Sequence, residues 1–444
     1  GRIRENGAKP FLTRGGESWT YADLSVRIEE MGREISGGVA PGDCVAVLGD
    51  YSLTSFAALF WLFANGNIVV PVAPAGEIDL PDRLDAARCD WLLRAEGKKE
   101  NFLEQLPRAG ARHDLVEGLR ACGHAGLVLF SSGSTGKPKA MIHDLDRLIS
   151  GYRDRKPRAL SLIVFLMFDH IGGLNTAFNA VSTGSHMIVP VVRDADEVAA
   201  LIEHHRISIL PTSPTFLNLL LIADAHRRFD LSSLRIITYG TEPMPESLLR
   251  KLKEALPKVK LLQTFGTSET GISRTESKSS GSLFMKLDDP DIEHKVVEGE
   301  LWLKSKSQIL GYLNHDMDSF TADGWFRTGD QVEVDPEGFI RIVGRTKEII
   351  NVGGEKVLPA EIESVLLEMP EIADCVVYGE VSSITGQMVC ARVVLSDKGS
   401  ATTIKSAVRA FCSARLARYK VPVKVIVAES GLHGGRFKKK RMVG

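Results

Sequence analysis

The stretch FSSGSTGKPKAMIHD, residues 130–144, concentrates hydroxyl residues, two glycines and two lysines directly after the apolar run GLVLF. A short apolar run of this kind predicts a buried strand. Similar runs alternate with helical patterns from about Asp43 to Gly266, among them DADEVAALIEHHR, which opens on the cap-competent Asp194. Strands that alternate with helices predict parallel sheets covered by helices on both faces. Ligands of such sheets bind at the carboxyl ends of the strands, where this loop is expected to lie.

The composition of the loop predicts a binding site for oxyanions. Glycines let backbone amides point inward, and hydroxyls and lysines add donors around them. A Walker A loop is excluded, because Gly133 and Gly136 are only three residues apart and Pro138, which has no hydroxyl, follows Lys137. The plain structural alternative is a solvated serine–glycine turn. Two lysines directly after a buried strand count against that alternative.

Composition narrows the class of protein. Of 444 residues, 44% are hydrophobic, and 55 basic residues balance 56 acidic ones, so no overall field favours a nucleic acid or a membrane surface. The 6 cysteines form no C-x-x-C pair and are expected to be reduced. The polar opening GRIRENGAKP does not match a signal peptide, and Gly66 interrupts the most apolar stretch too early for a membrane span. We expect a cytoplasmic protein.

The pattern changes after about Lys278. GELWLKS and QVEVDPEGFIRIVGR alternate as antiparallel strands do, with a turn at residues 335–338. EIINVGGEKVLPAEIESVLLEM then predicts a strand, a glycine turn, a strand and a helix that begins at Pro359. We therefore predict an α/β protein with a boundary near Gly344. Residues 1–343 form a large domain of helix-covered β-sheets with a β-rich subdomain, and residues 344–444 form a small α+β domain.

The segment SSGSTGKPKA, residues 131–140, closely resembles the signature loop of the adenylate-forming superfamily, which comprises acyl- and aryl-CoA synthetases, peptide-synthetase adenylation domains and luciferases. Companion motifs follow in the family's order, namely YGTEPMP from residue 239, FGTSE from residue 265, RTGD from residue 327 and GRTKE from residue 344. The resemblance implies the fold of that family, in which the C-terminal domain is a mobile lid with its hinge near Lys347. Each motif alone has a plain structural explanation, and it is their order and spacing together that favour the family.

The resemblance also implies where ATP binds. Its phosphates are expected at the loop residues Ser131, Ser132, Gly133, Ser134, Thr135, Gly136 and Lys139, with Lys137 holding the leaving pyrophosphate. Gly240, Thr241 and Glu242 would lie along the adenine, and Phe265, followed by Gly266 and Thr267, would stack on it. Ser268 would contact the α-phosphate and Glu269 would hold Mg²⁺. Asp330 would accept the ribose hydroxyls and Arg345 would contact ribose or phosphate. Taken alone, Asp330 is also typical of a turn, Glu269 is more typical of a helix cap, and Phe265 is more often part of a core than an adenine platform.

Two half-reactions are implied. A carboxylate attacks the α-phosphorus of ATP, giving an acyl-adenylate and pyrophosphate, and the thiol of CoA or of a carrier protein's phosphopantetheine then displaces AMP. The family uses a C-terminal lysine after a glycine to bridge the two anions, whereas here Gly435 is followed by Arg436, with Lys438 in reserve. Arginine differs from lysine in size and hydration, so a slow first half-reaction is an alternative, as is a merely solvated basic tail. Gly353 and Gly354 would line the pantetheine tunnel or serve only their turn.

The segment FDHIGGLNTAF resembles the lining of the family's acid pocket. His170 matches the aromatic gate, and Ile171 stands where peptide-synthetase domains carry an aspartate for the substrate amine. Gly172 and Gly173 leave room beside them, and Phe216 is either a pocket wall or plain core. These matches predict a small uncharged acyl or aryl acid.

The sequence therefore predicts an ATP- and Mg²⁺-dependent acid–thiol ligase. One alternative is a nucleotide-binding relative with weak catalysis and a regulatory role, for which Arg436 is the support. Another is an adenylating oxygenase of the luciferase type, which no feature of the sequence demands.

Overall fold

The computed structural model describes residues 2–96, 102–107, 110–132, 137–429, 432–435 and 437–441, apart from the side chain of Ser132. The α-helices of these residues are α1 Arg2–Asn6, α2 Tyr21–Ile35, α3 Leu53–Ala64, α4 Leu80–Ala87, α5 Asp114–Cys122, α6 Leu145–Ser150, α7 Ile171–Thr183, α8 Ala195–His205, α9 Pro214–Ile222, α10 Ala225–Arg228, α11 Glu246–Ala255, α12 Pro359–Leu366 and α13 Ile404–Ser413.

The β-strands, in chain order, are β1 Pro10–Arg14, β2 Glu17–Thr20, β3 Cys44–Leu48, β4 Ile68–Val72, β5 Trp91–Arg94, β6 Leu103–Gln105, β7 Gly126–Ser132, β8 Pro138–Asp144, β9 Ser161–Ile163, β10 His186–Val189, β11 Ile209–Thr212, β12 Ile236–Tyr239, β13 Lys260–Gln263, β14 Phe265–Thr267, β15 Gly271–Ser273, β16 Thr275–Ser277, β17 Met285–Leu287, β18 Ile292–Val297, β19 Glu300–Ser305, β20 Gly311–Tyr312, β21 Phe326–Val334, β22 Ile340–Arg345, β23 Ile350–Val352, β24 Glu355–Val357, β25 Ile372–Ser382, β26 Gly386–Leu395 and β27 Lys424–Val427.

Two seven-stranded sheets form the larger part of the molecule. One has the strand order β13-β12-β11-β9-β10-β1-β2 and is parallel except for β2, and the other has the order β20-β8-β7-β4-β3-β5-β6 with a parallel centre. A shared apolar core joins both sheets to α2, α3 and α7. Further helices cover the outer faces of the two sheets. The predicted helix-covered parallel sheets are therefore present.

Several helices begin or end at the residues that the sequence predicts. The side chain of Asp194 accepts a hydrogen bond from the amide of Glu197 at the start of α8. Helix α3 ends at Ala64, and the following turn holds Gly66 at φ +73°, a left-handed conformation that favours glycine. Pro359 occupies the first turn of α12, where its missing amide hydrogen has no helical partner to lose.

The β-rich part is an antiparallel sheet of order β16-β17-β22-β21-β19-β18. The predicted hairpin is present: β21 and β22 pair through a turn at residues 335–338, in which Gly338 has φ +79°. Strand β22 leads into a single 3₁₀ turn, Thr346–Glu348, which connects to the C-terminal part of the chain.

The C-terminal part has a core of its own, formed by residues from Ile350 onward around α12, α13 and the sheet of β23 to β27. It docks on the larger part through polar contacts. Lys251 donates to the Leu367 carbonyl at 2.6 Å and Ser247 to the Ser364 carbonyl at 3.0 Å. The division at residue 343 stays a prediction. Among the residues that the structure describes, no helix has both the length and the apolar character needed to cross a membrane.

Candidate functional site

A cavity of about 560 Å³ opens where the two parts of the molecule meet. It lies at the carboxyl ends of β11, β12 and β13, because Thr212, Gly240 and Thr264 stand at or directly after those ends and all line it. This is the edge at which parallel sheets bind ligands. The sequence-predicted residues that line the cavity are Ser131, Lys139, His170, Ile171, Gly172, Gly240, Thr241, Phe265, Gly266, Thr267, Ser268, Glu269, Arg345 and Lys438.

The serine- and lysine-rich loop joins β7 to β8. These strands pair antiparallel, so that Ser131 lies opposite Lys139 at the cavity. The ammonium of Lys139 sits 5.8 Å from the centre of the Tyr312 ring. Lys137 is exposed and does not line the cavity. Gly133, Ser134, Thr135 and Gly136 lie outside the described residues, as does the side chain of Ser132.

Phe265 and Glu269 bring an aromatic face and a carboxylate into one wall. Phe265 begins β14, which pairs with β15 so closely that a side chain on Gly266 would collide with the Gly271 carbonyl. Burial raises the pKa of Glu269, and the Tyr312 hydroxyl donates to its Oε1 at 3.3 Å. The wall thus offers a stacking surface beside an oxygen ligand for a cation.

Two buried hydroxyls at the cavity make no hydrogen bond within the described part of the chain. Neither Thr212 Oγ1 nor Thr241 Oγ1 has a hydrogen-bond partner there, although both residues line the cavity. Thr241 also holds φ +74°, a left-handed conformation that costs a residue other than glycine about 1–3 kcal/mol. A bound polar ligand is the natural partner for such groups. Glu242 faces away from the cavity and accepts from the Thr215 amide at 2.8 Å.

Asp330 and Arg345 are cross-strand partners on β21 and β22. Arg345 Nε donates to Asp330 Oδ1 at 2.9 Å, and Arg345 itself lines the cavity, whereas the 4% exposed Asp330 lies behind it. Burial raises the pKa of Asp330, against the opposing charges of Arg345 and Lys438. The hairpin therefore sets the guanidinium of Arg345 at one rim of the cavity, and the carboxylate of Asp330 holds it from outside the cavity lining.

The C-terminal segment, residues 432–441 without the undescribed Arg436, contributes one residue to the lining of the cavity. Phe437 packs its ring against Phe165 and Phe216, and its carbonyl accepts from the Ser213 hydroxyl at 2.9 Å. The next residue, Lys438, lines the cavity. Lys439 is buried and pairs with Glu363 at 3.4 Å. Phe437 and Lys439 are thus fixed on both sides of Lys438.

His170 forms the start of α7 at the cavity. Its Nδ1 accepts from the Gly172 amide at 3.1 Å, so the side chain caps the helix as well as lining the cavity. Gly173 is buried away from the cavity, and a side chain there would collide with the Met167 carbonyl and the Tyr51 hydroxyl. Phe216 is core rather than cavity wall, with its ring centre 4.2 Å from that of Phe165.

Gly353 and Gly354 do not line the cavity. They form the turn between β23 and β24, with φ +62° and +94°, conformations that favour glycine. Each of the two glycines therefore has a structural role in this turn. Sequence reasoning also missed cavity residues: Tyr312 had no motif to mark it, whereas Asn175 stands four residues after Ile171, and the helical repeat of α7 is the signal that would have found it.

Comparison with known proteins matches both parts of the chain to family models. Residues 2–313 match the model described as AMP-binding enzyme, and residues 361–433 match the AMP-binding enzyme C-terminal domain. The chain is 32% identical over 461 residues to an indoleacetate–CoA ligase of Aromatoleum aromaticum, covering 92% of this chain and 89% of that protein. It is 29% identical over 469 residues to the long-chain-fatty-acid–CoA ligase FadD13 of Mycobacterium tuberculosis, covering 93% and 89%.

A solved structure has the same fold. The anthranilate CoA ligase AuaEII, in complex with anthranoyl-AMP, superposes with a TM-score of 0.80 at 21% identity, covering 99% of this chain and 94% of that one.

Proposed function

The chain belongs to the family of AMP-binding enzymes, and from this premise we propose that it uses ATP to activate a carboxylic acid as an acyl-adenylate and then transfers the acyl group to coenzyme A. The two relatives named above are CoA ligases, which supports an acid–CoA ligase in general terms. The phosphopantetheine of a carrier protein is the other acceptor that the chemistry allows. The observation that carries the proposal is the single cavity that joins Phe265, Glu269, Arg345 and Lys438.

The first half-reaction requires two anions to approach each other. Lys139, Arg345 and Lys438 supply three cationic side chains around the cavity, and fixed charges of this kind stabilise charge that develops at a phosphate without reorganising. Phe265 offers the face on which an adenine stacks, while the hydroxyls of Thr212 and Thr241 are available as hydrogen-bond partners.

Glu269 fits a magnesium site. Mg²⁺ prefers oxygen ligands and is usually held by one or two carboxylates together with phosphates. The Glu269 carboxylate lines the cavity, and burial raises its pKa, so a cation beside it would stabilise the ionised form. When bound, Mg²⁺ supplies positive charge to the phosphates.

The test measures acid-dependent exchange of pyrophosphate into ATP over aliphatic, aryl and amino acids. Uncharged aliphatic or aryl acids should support exchange, and Glu269→Gln should lower it at least tenfold. Glu276→Gln is the matched control, because Glu276 is exposed on β16 outside the cavity.

Thioester formation is then compared with CoA and with a holo carrier protein, and CoA should be the better acceptor. Nucleotide binding without exchange by any acid would refute the proposal in favour of a binding or regulatory role. Oxygen-dependent consumption of the adenylate would instead indicate an oxygenase.

A further inference from the structure

One stretch of the cavity lining, beside the start of α7, combines apolar side chains with one amide. Leu166, Ile171 and Ile272 contribute apolar side chains there, and Asn175, one turn further along α7 than Ile171, lines the same space. In ligand pockets, a few precisely placed polar groups among apolar side chains set which ligands bind. The orientation of the Asn175 amide therefore decides which chemical group the pocket recognises.

Contacts one turn further along the same face of α7 fix the amide of Asn179. Arg155 can only donate, and it donates to Asn179 Oδ1. The other amide atom of Asn179 lies 2.9 Å from the backbone carbonyl of Asn175, which can only accept. Both contacts require the same assignment of the Asn179 amide, with its oxygen toward Arg155 and its nitrogen toward the Asn175 carbonyl.

That assignment propagates to Asn175. The Asn179 nitrogen is also 3.2 Å from one amide atom of Asn175, which must then be the oxygen. The Tyr152 hydroxyl lies 2.6 Å from the same oxygen, and burial raises the pKa of Tyr152, so that its proton is present to be donated. Two donors thus hold Asn175 Oδ1, and its Nδ2 has no acceptor among the described residues.

From this chain of contacts we infer that Asn175 Nδ2 is a specificity-determining donor, and that the acid carries a hydrogen-bond acceptor, such as a keto or alkoxy oxygen, on an otherwise apolar body. The inference rests on the proposed activation of an acid in this cavity. The neighbouring hydroxyl of Thr176 does not compete as a donor, because it already donates to the Gly172 carbonyl at 2.8 Å.

The test uses pairs of acids that differ only in the acceptor. A keto acid is compared with the acid that has a methylene at the same position, and a methoxy-substituted aryl acid with its ethyl analogue, with the acceptor moved along the body. The measured quantity is the ratio of kcat/KM for pyrophosphate release within each pair. One neutral hydrogen bond of about 1.4 kcal/mol gives a preference of about tenfold for the acceptor at its best position.

Three variants separate a donor from a merely structural residue. Asn175→Leu should reduce the ratio to about one, since it removes the donor at similar size. Thr176→Val, the matched control on the same wall, should leave the ratio unchanged. Asn179→Asp, which does not alter the cavity wall, should also lower the ratio, because a carboxylate cannot donate to Asn175 Oδ1.

Dissociation constants of the same acid pairs, measured by calorimetry without ATP, separate this inference from the proposed function. A wild-type protein that shows no acceptor preference at any position, or an Asn175→Leu variant that keeps it, would overturn the inference. A preference in binding that Asn175→Leu abolishes would support it even if no acid released pyrophosphate, and the proposed function alone would then be wrong.

Discussion

Replacing Glu363 by glutamine should destabilise the C-terminal part of the protein severely. Glu363 lies on α12, is 1% exposed and accepts from Arg441 Nη2 at 2.8 Å, with Lys439 at 3.4 Å. Its carboxylate also accepts from the Val377 amide at 3.0 Å on β25. Glutamine keeps the shape of the side chain but leaves two buried cations without their shared anion.

The magnitude follows from the pKa of Glu363. Burial alone would raise it, but the charges of Lys439 and Arg441 outweigh burial and lower it from 4.5 to about 2. Each pKa unit corresponds to about 1.4 kcal/mol, so the ionised carboxylate contributes about 3 kcal/mol to folding. Breaking a buried ion pair from one side costs a similar amount, about 3–5 kcal/mol.

Glu361→Gln is the matched control. Glu361 lies on the same helix and pairs with Lys420 at 2.7 Å, but its side chain is 42% exposed, and surface pairs contribute less than about 1 kcal/mol. Hydrogen exchange of the amides in β25 and β26 measures the local free energy of opening. Glu363→Gln should accelerate this exchange by about a hundredfold, since 1.4 kcal/mol is a factor of ten, and Glu361→Gln by less than about fivefold.

The pH dependence gives an independent check of the same reasoning. Because the pKa is lower in the folded state, the contribution of Glu363 is complete above pH 4.5 and is lost as the pH falls toward 2. The difference between wild type and Glu363→Gln should therefore shrink below pH 4.5. Equal effects of the two substitutions on exchange at pH 7 would refute the reasoning.

As the resemblance predicts, Arg436→Ala should reduce pyrophosphate exchange more than Lys438→Ala. The reverse order would assign the bridging cation to Lys438, which lines the cavity. In denaturant titrations, Gly173→Ala should lower the free energy of unfolding by about 2–4 kcal/mol, because its methyl group would collide with the backbone. Gly118→Ala in α5 is the control, because its methyl group meets open space and should be neutral or stabilising by up to about 1 kcal/mol. Burial lowers the pKa of His143 from 6.5 to about 4, so the unfolded chain binds this proton first and the folded state loses stability as the pH falls from 6.5 to 4. His143→Gln should therefore lose less of its denaturation midpoint over that pH range than the wild type. An equal loss in both proteins would contradict the lowered pKa.

Local signals made much of the fold predictable. The hairpin at residues 335–338, the cap at Asp194 and the helix that begins at Pro359 each depend on a few adjacent residues, and all three are present. The packing of α2, α3 and α7 between two sheets depends on contacts between distant residues, and no local pattern encodes it. The sequence therefore predicted the elements and their class better than their arrangement.

Residues that line the cavity were predictable where a motif marked them, and their functional roles stay predictions. Phe265 and Glu269 belong to one motif and Arg345 to another, and all three line one cavity although the two motifs are far apart in sequence. The sequence left open whether Phe216 is a pocket wall or part of the core, because the rings that it packs against, those of Phe165 and Phe437, are distant in sequence. The donor orientation of Asn175 depends on tertiary contacts that sequence reasoning had no means to assemble.

The connection between the two parts of the molecule runs through the cavity rim, because Arg345 ends β22 and the turn Thr346–Glu348 follows it immediately. Any change in the angle between the parts at this turn therefore occurs directly beside a group that lines the cavity. If the affinity of a ligand in the cavity depends on that angle, a partner that binds one angle preferentially changes the affinity for the ligand, and by thermodynamic linkage the ligand changes the affinity for that partner by the same factor. Occupancy of the cavity and binding of such a partner would then be coupled through this short connection.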